Sequence, residues 1–341
     1  MSYETIRLEK GMYRESGKSF SQVLESLDPS EAYQGTALAN TDAFQRQLKR
    51  FGIRARGPAS DPVEKFFSTF ESAVLFPEFI ARVVRQGIDE KNILPSLVAT
   101  VTTIDAMDYR SIYSDAKEAD KSLRFVGEGA AIPETVIRSK ERLISLRKRG
   151  RMLVASYEAL RFQKLDMFSV MLRQIGSYIQ QLQIADAVDI LESGDGNSNS
   201  ALLYTIGSSP ISGTSGELAY DQLVELWTLF HPYEMNTMLV SPMMMATILK
   251  LPEMQNPAAG LNFQGTGKIG TPLGAELICS NAVGSGLIFG LDRRYALEMV
   301  QAGDVSVEYD KLIDRQLERA AITAIFGFGK IYDDAAVILE V

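Results

Sequence analysis

The chain has 341 residues, 46% of them hydrophobic and 23% charged, the proportions of a soluble globular protein with one large core or two modest ones. A net charge of −8 excludes a molecule built as a whole to condense on nucleic acid, although a local basic patch is compatible with it. Cys279 is the only cysteine and His231 the only histidine, which excludes an intrachain disulfide, a cysteine-based structural zinc site and any multi-histidine metal centre.

The N-terminus, MSYETIRLEKGMYRESG, is polar and mixed in charge, without the apolar core of a signal peptide. The most apolar stretch, Met238 to Leu251, is broken by Ser241, Pro242 and Lys250 and is far shorter than the ~20 residues of a membrane span. A cytoplasmic chain with no membrane partner is expected. Residues 1–62 are rich in Ser, Gly and charge. Ser19 to Leu27 and Ala43 to Phe51 each offer two helical turns, neither with a broad apolar stripe. Gly57-Pro58-Ala59-Ser60-Asp61-Pro62 is a breaker cluster and marks a boundary. The segment reads as an arm without a core of its own, its order borrowed from neighbours.

Apolar residues return from Val63 to Gln86, and Ile93 to Ile104, rich in Val, Ile and Thr, reads as a strand. Ile132 to Leu146 is β-prone, and Arg147-Lys148-Arg149-Gly150 is expected to turn the chain toward Met152–Val154. Together they make a long hairpin-like excursion with too little apolar material for a core. Leu165 to Leu191 is the best helix, with Phe168, Met171, Leu172, Ile175, Ile179, Leu182, Ala185 and Val188 at helical spacing. Gly194-Asp195-Gly196-Asn197 stops it, with glycine available for a left-handed cap.

Beyond it, Leu223, Leu226, Trp227 and Phe230 mark a helix started by Asp221. Thr237 to Val240 is a short strand, followed by Ser241 as N-cap and Pro242 at the first helical position. Leu277-Ile278-Cys279 and Leu287-Ile288-Phe289 read as core strands. Val305, Val307 and Tyr309 alternate, and Ala321–Phe328 and Ala336–Leu339 add strands near the end. The class is α+β.

No catalytic constellation stands out. Gln264-Gly265-Thr266-Gly267-Lys268 and Gly327-Phe328-Gly329-Lys330 fail as phosphate loops, because Ile269 and Ile331 stand where a magnesium-binding hydroxyl belongs. Gly127-Glu128-Gly129 lacks a third glycine and a following helix. His231, in Phe230-His231-Pro232, fits a turn or cap, and no cofactor or metal ligand set is indicated. A carboxylate hydrolase stays open as a reading of a different class, since any chain with 43 acidic residues holds chance pairs.

The order of the pieces carries a resemblance. Gly127-Glu128-Gly129-Ala130-Ala131-Ile132-Pro133-Glu134, a β-prone basic stretch and Val154-Ala155-Ser156-Tyr157-Glu158-Ala159-Leu160 resemble the extended E-loop of tailed-phage major capsid proteins of the Hong Kong 97 type and its return into the core. The helix ending in Ile190-Leu191-Glu192-Ser193-Gly194-Asp195-Gly196 is similar to their spine helix, and Tyr220 to Val300 to their axial domain. Phe326-Gly327-Phe328-Gly329-Lys330-Ile331-Tyr332-Asp333-Asp334-Ala335-Ala336 is similar to the last strands of their peripheral domain. The resemblance spans about residues 75 to 341 and rests on colinear weak motifs.

It implies a division into an arm (1–62), the start of a peripheral domain (63–122), an E-loop (123–152), the spine-helix part of the peripheral domain (153–200), an axial domain (201–302) and final peripheral strands (303–341). It also implies a shell subunit, not an enzyme, assembled in the bacterial cytoplasm into pentamers and hexamers of an icosahedral head around packaged DNA. Scaffolding, portal or decoration proteins are possible partners. An encapsulin shell is the alternative within the same fold, although encapsulins lack an arm of this length. Arg138, Lys140, Arg142, Arg147, Lys148, Arg149 and Arg151, opposed only by Glu141, are expected at intersubunit contacts, facing the eight acids against four bases of residues 301–341. Tyr3, Ile6, Leu8, Met12 and Tyr13 are expected to seat the arm, retained and ordered only in the shell, on a neighbour. The free subunit should then be cleaved before about Val63. Relatives that cross-link join an E-loop lysine to a neighbour's peripheral asparagine. Lys140 and Lys148 are candidate donors, yet no asparagine follows Asn281, so no cross-link is expected.

Overall fold

The computed structural model describes residues 3–14, 18–90, 92–106, 108–114, 125–129, 132, 137–197, 199–255, 271 and 273–341. In chain order, α1 (Phe20–Leu27), α2 (Ala43–Arg50) and α3 (Phe70–Asp89) lead into β1 (Val98–Ile104), β2 (Asp108–Tyr109) and β3 (Ile112–Ser114). Next come β4 (Ile137–Ser139), β5 (Ile144–Ser145), β6 (Arg147–Ser156), α4 (Tyr157–Phe162) and α5 (Leu165–Ser193). They are followed by β7 (Leu202–Thr205), α6 (Tyr220–Thr228), β8 (Thr237–Val240), α7 (Pro242–Leu249) and α8 (Pro252–Gln255). The last strands are β9 (Glu276–Cys279), β10 (Leu287–Leu291), β11 (Leu297–Ala302), β12 (Ser306–Leu312), β13 (Leu317–Lys330) and β14 (Ala336–Glu340). The Gln264–Lys268 stretch lies outside the described residues.

Contacts divide the chain into two compact units. The first comprises Met1–Lys91, Arg149–Gln180 and Val305–Ala324; the second comprises Asn92–Lys148, Gln181–Asp304 and Ile325–Val341.

In the first unit, α3 starts where the Thr69 side chain accepts from Ser72 N, and it packs against the N-terminal part of α5. Aromatic rings fill the space around it: Phe76 lies 5.4 Å from Phe66, 6.2 Å from Phe168 and 5.4 Å from Tyr309 of β12. The helices approach so closely that a Cβ on Gly176 would stand 2.1 Å from Val84 O, and one on Gly87 2.2 Å from Arg173 O. β12 pairs antiparallel with the first half of β13, Val307 opposite Ile322, and β6 also pairs with β13. The basic run Arg147–Gly150 is therefore strand and not turn. Gly150 is there for space, since a Cβ would meet Thr323 Cγ2 at 2.8 Å.

The expectation of a coreless arm is corrected. Phe20, Val23, Leu24, Ala43, Phe44 and Ile53 are buried within the first unit, as are Ile6 and Leu8, at 5% and 4% exposure. Capping boxes start both short helices, Ser19 with Gln22 and Asp42 with Gln45. Tyr13 stacks on Phe20 at 4.3 Å, donates to Val74 O at 2.8 Å and accepts from Glu78 N. Burial pushes its hydroxyl far above the ordinary tyrosine range. At the centre, fully buried Arg46 pairs with Asp28, donates to Asp28 O at 2.6 Å and lies over the Tyr33 ring. Removing one partner of a buried pair strands the other charge. Arg46→Ala should thus cost ~3–5 kcal/mol, read as a lowered urea midpoint. An unchanged midpoint would mean that Arg46 is solvated. The region before Val63 should likewise resist protease in the free subunit, the reverse of the expectation from sequence.

The second unit holds a mixed sheet in the order β7-β14-β10-β8-β9. β10 is antiparallel to β14 and β8, whereas the outer strands β7 and β9 run parallel to their neighbours. All four residues of β8 are buried. Leu223, Leu226 and Phe230 of the α6 segment pack with Met244 and Ile248 of α7 over Met238, Ile288 and Leu339. Ser241 caps α7 as its sequence implies, accepting from Met244 N, with Pro242 at the first position. Helix α6 begins at Tyr220, with Ala219 rather than Asp221 in the flanking place, and Trp227 is exposed. Elsewhere in the unit, β1 runs parallel to β11, which is antiparallel to the end of β13.

Candidate assembly surface

The excursion is longer than the sequence suggests: β2 and β3, which precede Ile132, pair with β5 and β4, so the outgoing leg begins at Asp108 and the returning leg is β4 and β5. Tyr109 pairs with Ile144, and Ile112 with Ser139. Within its described part, Phe125 and Ile132 are exposed, the latter at 76%. Single exposed apolar residues are ordinary on a protein surface, and these two are distinguished only by standing near one another in sequence between the two short ladders. Sequence alone does not mark them, since a Phe in a β-prone loop looks like any strand residue.

The seven basic residues separate into groups. Arg142, Arg147, Lys148 and Arg151 are exposed, with Arg147, Lys148 and Arg151 along β6. Arg149 is half-buried and engaged with other groups. The side chain of Arg138 lies outside the described residues. Lys140 is 6% exposed, its Nζ 3.0 Å from Asp195 Oδ2, so it is neither a surface charge nor an available cross-link donor. Asp195 sits in the turn after α5, between Gly194 at φ 82 and Gly196 at φ 90. Burial pushes its carboxyl up. Hydrogen bonds from Asn197, Lys140 and the Lys330 amide outweigh that and hold it below the usual range. Burial lowers the Lys330 ammonium to about 8, partly opposed by Asp333 and Asp195.

Of the arm residues, Ile6 and Leu8 are covered by their own unit, whereas Tyr3, Met12 and Tyr13 are half-buried. Helix α5 shows a second departure. Met171 and Leu182, expected on the core face, are exposed at 52% and 41%, along with Met167, Val170 and Tyr178. The helix carries more apolar residues than its buried face holds, so periodicity alone could not say which face turns inward.

Among the described residues no group of three His, Cys, Asp or Glu is placed to hold a metal ion, and no helix is long and apolar enough to cross a membrane. Cys279 is exposed, with its thiol pushed up by partial burial, the opposite of an activated nucleophile.

Comparison with solved structures gives the same architecture at low identity. A virus-like particle from Pyrococcus furiosus matches with a TM-score of 0.52 and 13% identity, over 78% of this chain and 99% of that one. The capsid of a native GTA particle matches at 0.53 and 14%, over 73% and 91%. A structure from Microbacterium phage Oxtober96 matches at 0.51 and 9%, over 73% and 90%. No curated protein sequence matches the chain. The fold is the Hong Kong 97 type, with a long helix against sheet. A family model described as phage capsid protein matches residues 139–338, which takes in the end of the returning leg, the long helix and nearly all of the sheet β7-β14-β10-β8-β9. The chain belongs to the phage capsid protein family, a shell-forming component of the virion and not an enzyme.

Proposed function

We propose that copies of this chain close, as pentamers and hexamers, into the icosahedral head of a tailed phage, around packaged double-stranded DNA held without sequence specificity. Assembly takes place in the bacterial cytoplasm, where scaffolding, portal or decoration proteins can join. The observation that carries this reading is the excursion with the strand β6 that follows it, which leave apolar Phe125 and Ile132 and basic Arg142, Arg147, Lys148 and Arg151 uncovered by their own chain. In the assembly these residues, with Arg138 and Arg149, face the acidic C-terminal stretch of a neighbour. Glu308, Asp314, Asp333 and Asp334 of that stretch are exposed. Tyr3, Met12 and Tyr13 supply further contact at the edge of the arm. Many modest contacts then hold what no single interface would. Negative-stain microscopy of the expressed chain tests the reading: shells or tubes support it, and discrete small particles at all concentrations and salts overturn it.

Mature shells should carry no covalent links between subunits. Lys140 is locked in an ion pair, which leaves Lys148 as the exposed donor, and no asparagine follows Asn281. Boiled, denatured particles are expected as one monomer band, and a ladder of oligomers would contradict this.

A further inference from the structure

The root of the excursion is joined by ladders of two and three residue pairs, too short to fix the legs by themselves. Two buried polar nodes and a pair of glycines surround it. On the outgoing leg, Tyr109 Oη and Ser111 Oγ each donate to the Glu298 carboxylate of β11 at 2.8 Å, and Thr102 Oγ1 of β1 donates to it at 2.7 Å. On the returning leg, Lys140 Nζ donates to Asp195 and to the Lys330 carbonyl, while Lys330 N donates to the same Asp195 oxygen at 3.1 Å. Lys140 N donates to Ser111 O at 2.9 Å and so ties one leg to the other.

Between the nodes, Ile144 and Ser145 lie against Gly327 and Gly329. A Cβ on Gly329 would stand 2.5 Å from Ile144 Cδ1, and one on Gly327 2.5 Å from Ser145 O. Strand alternation places both glycines on the face the returning leg covers and sends Phe326 and Phe328 to the other, where both are buried. The Gly-Phe-Gly-Lys run that fails as a phosphate loop thus has a spatial reason.

We propose that Gly327, Gly329, Asp195 and Glu298 form a seat that fixes the take-off of the excursion, with Lys140 as its positioning residue. The loop then reaches a neighbouring subunit from a set root instead of a free hinge, which rests on the intersubunit role assigned to the excursion above.

Hydrogen exchange on the unassembled full-length subunit tests the seat directly. In Lys140→Met, Glu298→Gln and Gly329→Ala, amides of residues 108–114 and 139–146 should exchange at least tenfold faster, with β8, β10 and β14 unchanged. Adding Ile144→Ala to Gly329→Ala returns the space and should recover protection at 108–114, which assigns the acceleration to this contact. If Gly329→Ala does not fold, the two polar variants decide alone. Unchanged exchange at the root, or equal acceleration across the second unit, would overturn the seat. Shell yields of the same variants, measured by sedimentation, should fall at least fivefold. Normal shells from a subunit with a loosened root leave the seat standing and sink its part in assembly.

Discussion

Subunits carrying Gly176→Ala are expected to lose about 3 kcal/mol of stability or more, a large effect for a single methyl group. The added Cβ would lie 2.1 Å from Val84 O, a backbone atom of α3 that no rotamer change can move aside. Alanine favours helix over glycine by up to ~1 kcal/mol, so the steric cost must exceed that gain before any loss appears. Gly87→Ala meets Arg173 O in the same way and should behave alike. Gly11→Ala, with nothing within 4 Å of its new methyl, is the matched control and should leave the urea midpoint in place. A Gly176→Ala protein as stable as its parent would mean that α3 and α5 do not cross at this distance.

The second large effect concerns assembly and leaves folding intact. Arg147→Glu, Lys148→Glu and Arg151→Glu together reverse three exposed charges of β6. Arg149 is excluded because it is half-buried and engaged within the subunit. Surface substitutions of this kind usually stay within ~0.5 kcal/mol of the parent's stability each. An exposed ion pair is worth only ~0–1 kcal/mol, but like charges brought together cost energy at every copy of a repeated contact. A folded triple variant should give at least tenfold fewer shells, with partial recovery at high salt as repulsion is screened. Normal shells with unaltered salt sensitivity would remove the intersubunit role of this strand.

Local signals are enough for some elements. The periodic run at Leu165 forms α5, the Ser241-Pro242 pair starts α7, and the alternation at Val307 and Tyr309 forms β12. Each depends on residues a few positions apart. What escapes a reading of the sequence depends on distant partners. Arg147-Lys148-Arg149-Gly150 has the composition of a turn, yet it is strand because β13 supplies its ladder. Lys140 carries no mark of burial in its neighbourhood, since the carboxylate that holds it is Asp195, beyond all of α5. The arm reads as coreless because its helices are short and Arg46 lies at its centre. The Asp28 pairing and the contacts with α3 that give it a core are invisible to periodicity.

Neither compact unit is a continuous piece of sequence: Val305–Ala324 completes the first and Ile325–Val341 supplies the second with β14 and the end of β13. During synthesis, a nascent chain that has reached Asp304 therefore owns most of two cores and can close neither. Its open sheet includes the flank of β10 that β14 will cover. Such a chain exposes unpaired strand and apolar surface together, the combination most prone to aggregate. Completion of each unit therefore waits for strands that are made after Asp304. Even a modest C-terminal truncation removes the closing strand of the second unit, and one reaching back past Val305 damages both.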